Sequence, residues 1–104
     1  MQNSVIAEIK IYPLGSKTAG VSHIVAGCVS LLEKATDINY QVTPMATIVQ
    51  GSLDKILELV KEMHELPFSQ GIQRVVTSIS IDDRRDKPIT MESKVNAVTE
   101  KIRE

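Results

Sequence analysis

The residues able to do chemistry in this 104-residue chain are few. Cys28, His23 and His64 are the thiol and imidazole groups available, and no two of them share a ligand-pair spacing. Zinc sites are built from close pairs, so the sequence offers no metal site. Cys28 falls on an apolar stripe and reads as a packed thiol, not a nucleophile. Ser22, Ser30 and Ser52 lack the flanking signature of an activated serine. Asp82 and Asp83 alternate sides at a strand end, so they diverge and do not share a proton. No catalytic residue is assigned. The loop Leu14–Gly20 could hold an anion on backbone amides, but it is neither a P-loop nor a G-x-G-x-x-G turn.

Polar residues inside the aliphatic run Thr43–Gly51 are more telling. Thr47 and Gln50 stand there among Ala46, Ile48 and Val49. A glutamine amide carries one acceptor and two donors in a fixed plane. That set matches an aminopyrimidine edge, where an exocyclic amine donates and a ring nitrogen accepts, as in glutamine pairing with adenine. The plainer alternative is a strand-end glutamine facing water. His23 stands beside Ser22 at the start of a helix, either facing a ligand or solvated in the first turn.

The elements that must position these groups follow from periodicity. Val5, Ala7, Ile9 and Ile11 alternate with their neighbours over Ser4–Leu14, the pattern of a strand with one buried face. Val21, Ile24, Val25, Cys28, Leu31, Leu32 and Ala35 recur at helical spacing to about Thr36. Two short strands, Tyr40–Thr43 and Ala46–Gln50, flank Pro44-Met45. Ser52 is an N-cap for a helix from Leu53 to about Leu66, with Leu53, Ile56, Leu57, Val60, Met63 and Leu66 on its apolar face and Pro67 and Gly71 at its exit. Gln73–Asp82 alternates as a fourth strand, and Thr90 caps a last helix carrying Met91, Val95, Val98 and Ile102. The order β-α-β-β-α-β with an extra C-terminal helix gives an α+β class, a ferredoxin-like sandwich, as one domain over residues 1–104.

Composition closes several alternatives. Twelve basic against thirteen acidic residues leave a net charge of -1, with no basic excess for a nucleic-acid footprint. With no Trp, one Phe and two Tyr, base-stacking surface is scarce as well. No apolar run approaches the roughly 20 residues of a membrane span. Met1–Ser4 lacks a signal-like start, and a single cysteine suits a reducing compartment, so the expected location is the cytoplasm. Two helices cover one face of the sheet. The other face, with Ile6, Tyr12 and Val76, is left as a candidate self-association surface or as a partly exposed surface of modest polarity.

The chain also resembles the small thiamine-binding protein family over nearly its whole length. The likeness rests on Ile11-Tyr12-Pro13-Leu14-Gly15, Ser22 with Val25-Ala26, Tyr40, Met45 and Thr47, and His64-Glu65. Gly71 with Arg74-Val75, Ile81-Asp82-Asp83-Arg84-Arg85-Asp86 and Lys94-Val95 with Val98 complete it. The resemblance implies a homotetramer of paired sheets (a dimer of dimers). It further implies a site near the subunit contact for thiamine or its hydroxymethylpyrimidine portion, and it establishes no catalysed reaction. Carried over, the ligand-facing candidates are Ser22, Thr47, Gln50 and Arg84, with His23 beside Ser22 in the wall. Arg84 is either a ligand contact or an inter-subunit ion pair. Many relatives carry a glutamate where Gln50 stands and an aromatic where Ile24 stands. The first change removes a charge, and the second a stacking surface worth about 0.5–2 kcal/mol.

The leading expectation is thus a non-catalytic binder of thiamine or a related pyrimidine, with no other cofactor. A regulatory or structural oligomer whose small-molecule site has decayed is the alternative. An acylphosphatase-type enzyme shares the strand order but needs an arginine in the loop after strand one, where only Lys17 stands. An RNA-recognition module needs aromatic pairs on strands one and four, which are absent.

Overall fold

A computed structural model describes residues 4–15 and 21–103, and of Val21 and Ser22 the backbone alone. The elements in order are β1 (Ser4–Leu14), α1 (Val21–Lys34), β2 (Asn39–Val42), β3 (Thr47–Ser52), α2 (Leu53–Ser69), β4 (Arg74–Asp82) and α3 (Met91–Ile102). The four strands form one antiparallel sheet in the order β2-β3-β1-β4. This is the ferredoxin-like α+β architecture expected from the element order.

Alternation along β1 does the positioning. Val5, Ala7 and Ile9 are buried beneath the helices, where they pack with Ile24, Cys28 and Leu32 of α1, Val49 of β3, and Ile56, Leu59 and Met63 of α2. Each valine, leucine, isoleucine or methionine among them contributes about 1.5–3 kcal/mol toward folding when taken out of water. The register puts Ile6, Glu8, Lys10 and Tyr12 on the opposite, open face, together with Ile48 and Gln50 of β3 and Val76, Ser78, Ser80 and Asp82 of β4.

The helices depart from expectation in detail. α1 leaves Val25 39% exposed, and α2 buries Leu59 while Leu57 is 45% exposed. α2 also runs three residues past the expected end at Leu66, with Pro67 inside it and buried. Proline cannot donate to the carbonyl of Met63 one turn earlier. The Cys28 thiol lies 3.9 Å from that oxygen, so a neighbouring helix supplies a weak donor where the backbone cannot. The helix then ends through Gly71, at φ +89°, a conformation open to glycine. At the other end Ser52 accepts from the Lys55 N–H, the expected cap. Gly51 is buried where a Cβ would collide with the Ile38 side chain and press on the Asp37 carbonyl, which sets how closely β3 meets the turn before β2.

Helix α3 differs from the other two. The Thr90 hydroxyl accepts from Ser93 N–H and the Ser93 hydroxyl accepts from Thr90 N–H, a full capping box. Yet none of its residues is buried, and Val95, Val98 and Ile102 are 62%, 59% and 79% exposed. Its attachments are the buried Ile89 in its lead-in, an ion pair between Lys94 and Asp82, and a hydrogen bond from Met91 N–H to Gln50.

Candidate functional site

The sheet register decides which candidate residues can meet. Thr47 pairs with Ile9 and Gln50 with Ile6, so the two differ by an odd number of positions on β3 and project to opposite faces. Thr47 is 8% exposed beneath the helix layer, while Gln50 is half-buried on the open face. Their separation along the strand adds roughly 10 Å at ~3.3 Å per residue. One chain therefore cannot bring both to the same edge of a small ligand. Of the two ligand-facing candidates on β3, one points under the helices and the other to the open face.

The candidates also stand at different levels along the sheet. Thr47, opposite Ile9, stands at mid-sheet, three rows from Ile6 and five from Leu14. The chain leaves β1 for α1 at the Leu14 end, and the second and third residues of α1 are Ser22 and His23. His23 is exposed, and the Ser22 side chain lies outside the described residues, as do residues 16–20 of the possible anion loop. At the other end, Gln50, Ile6 and Asp82 share one row across β3, β1 and β4. Arg84 follows Asp82 directly.

Gln50 does not stand free in water. Its Oε1 accepts the Met91 N–H at 2.8 Å, tying the tail of β3 to the first residue of α3. Sequence reasoning missed this contact because the partners are 41 positions apart and nothing local to either announces it. Arg84 is likewise occupied within its own chain. Its Nε and Nη2 donate to the two Asp86 oxygens at 2.6 and 3.0 Å, and Arg85 pairs with Asp83 in the same manner. These pairs hold the Asp83 and Asp86 carboxyls below the usual carboxylate range and push both guanidinium groups further up. Asp82, by contrast, turns to Lys94.

Ile24, where an aromatic would have offered a stacking surface, is buried in the core, so that departure alters packing in this chain. His64 holds its Nδ1 2.6 Å from the Thr77 hydroxyl and sets its ring edge-on to Phe68, a partly packed histidine bridging α2 and β4. Burial pushes the Cys28 thiol pKa up, which leaves it protonated and unreactive near neutrality. Among the described residues no group of three His, Cys, Asp or Glu could hold a metal ion, and no helix is long and apolar enough to cross a membrane. Two grooves of about 320 and 520 Å³ run between α1 and α2, floored by Leu31, Leu59 and Leu66 and rimmed by Lys34, Lys55, Glu58 and Glu62. Neither includes any of the sequence candidates.

Residues 7–99 match the family described as thiamine-binding protein, a span that takes in all five candidate residues. The UPF0045 protein YqgV of Bacillus subtilis is 42% identical over 100 residues, covering 93% of this chain and 96% of its own. The crystal structure of the hypothetical protein MJ1052 from Methanocaldococcus jannaschii superposes with a TM-score of 0.84 at 38% identity, over 95% of this chain and 99% of that one. A Thermotoga maritima protein described as a candidate thiamine biosynthesis/salvage protein superposes with a TM-score of 0.75 at 25% identity, over 91% and 98% of the two chains.

Proposed function

The chain belongs to the thiamine-binding protein family, and from that premise we propose that it binds thiamine or the hydroxymethylpyrimidine part of it without transforming it. The supporting observation is the match over residues 7–99, joined by the likeness to the Thermotoga maritima candidate salvage protein. Gln50 reads the aminopyrimidine edge from the open face. Ser22, His23 and Thr47 remain the candidates on the helix-covered side. Because Gln50 lies on the open face and Thr47 on the helix-covered one, the proposed site is centred on Gln50 and is closed over by a second copy of the chain. Self-association supplies that copy through the open face, with Ile6, Tyr12 and Val76, and through the uncovered stripe of α3. The protein acts in the cytoplasm, where the unpaired Cys28 stays reduced.

Isothermal calorimetry with thiamine and with hydroxymethylpyrimidine tests the reading. A saturable heat is compared with those of Gln50→Ala and Thr47→Val, and weakening in Gln50→Ala supports a site on the open face. Weakening in only one variant confines the ligand to that residue's face. No heat and no thermal shift at millimolar ligand removes the proposal, since a ligand held only by the native state must stabilise it.

One observation favours a second reading, in which the chain is an assembly module without a ligand. The Gln50 oxygen already has a partner in Met91, so the residue has a structural role that needs no small molecule. Under that reading Gln50→Ala changes the exchange of α3 amides and leaves every ligand titration flat.

A further inference from the structure

An amide side chain can face either way, and X-ray density rarely tells oxygen from nitrogen. Here chemistry decides. A backbone N–H only donates, so the Gln50 atom 2.8 Å from Met91 N has to be the acceptor Oε1. The Nε2 group, with its two donors, is therefore turned the other way. Nothing in β3 itself imposes that choice; it comes from the first residue of a helix 41 positions later. That helix is held in place by the Thr90–Ser93 capping box, the Lys94–Asp82 ion pair and the buried Ile89.

We propose that the Met91 N–H sets the hydrogen-bond polarity of the ligand site, making α3 a positioning element that presents Gln50 as a donor to an unprotonated ring nitrogen. This rests on the reading of Gln50 as the group that meets the pyrimidine. The ligand class it selects is a neutral heteroaromatic with an acceptor nitrogen. The remaining lone pair of Oε1 can still take an adjacent exocyclic amine. A ring nitrogen that carries a proton donates, meets a donor, and is turned away.

The backbone donor can be deleted without deleting the helix. Proline is well tolerated at the first helical position, and Thr90 is already extended (φ -135°, ψ 159°), as a residue before proline prefers. Met91→Pro therefore removes the N–H, and Met91→Ala controls for the lost side chain. Thiamine is titrated calorimetrically into wild type and both variants across a pH range spanning protonation of its pyrimidine ring. Circular dichroism reports whether α3 persists.

The expected result is weaker binding in Met91→Pro than in Met91→Ala by about tenfold, the scale of one well-placed hydrogen bond. Wild-type affinity falls as the ring becomes protonated. The fall is shallower in Met91→Pro, whose freed amide can turn its oxygen to the protonated ring. Should Met91→Pro lose helix, Lys94→Ala gives the second measure, weakening one α3 tether without altering Met91 or Gln50. Equal affinities and parallel pH profiles in Met91→Pro and Met91→Ala overturn the inference while leaving thiamine binding intact. Absence of wild-type binding removes the parent reading and this one with it.

Discussion

Pro67 and Cys28 show how a single missing donor shapes its surroundings. The proline deprives the Met63 carbonyl of its helical partner, and the thiol that lies against that oxygen is itself buried and held protonated. Folding thus favours the neutral thiol. The resulting stability is complete below the ordinary thiol pKa of the unfolded chain and is lost as pH rises from there through the higher folded value. Alkylation at mildly alkaline pH should be slow in the native protein and fast in denaturant. Native stability should decline over that alkaline window in wild type, and Cys28→Ala should remove the decline. Fast native labelling would show that the thiol is not sealed. At the same scale, the opposed directions of Thr47 and Gln50 were legible from their spacing alone, since a strand alternates every residue. The orientation of the Gln50 amide was not, because its cause lies in another element.

Helix α3 is capped more completely than it is packed. A 12-residue helix is marginal in water without tertiary support, and this one buries none of its own residues. Its cap should therefore matter locally. Thr90→Ala is expected to cost α3 about 1 kcal/mol. The loss should appear as faster hydrogen exchange over residues 91–102, with the unfolding temperature of the sandwich nearly unchanged. A large fall in that temperature would mean that α3 supports the core. The sequence announced this helix clearly, through Thr90 and the spacing of Met91, Val95, Val98 and Ile102. It implied a buried stripe, yet no described part of the chain covers it. Apolar periodicity reports that a face needs covering, and it does not say by what. The same limit explains α2, whose end was misplaced at Pro67 because a proline rule blind to Cys28 stops a helix that its neighbour allows to continue.

Across the whole molecule, one sheet face is covered by α1 and α2, the other carries Tyr12 and Val76 into solvent, and α3 adds a bare stripe of its own. Paired substitution Val95→Asp with Val98→Asp should lower the mass seen by light scattering while circular dichroism and core stability hold, because neither side chain belongs to the core. An unchanged mass would place the contact elsewhere. The strand order carries a different consequence, for synthesis. The inner strand β1 is made before β4, its long partner, which pairs Asp82 back to Ile6. As the chain leaves the ribosome, β1 must wait beside an empty flank until α1, β2, β3 and α2 have been translated and β4 follows. Such distant pairing slows folding. Until β4 arrives, that flank of β1 keeps its backbone N–H and C=O groups open to pairing with any other strand.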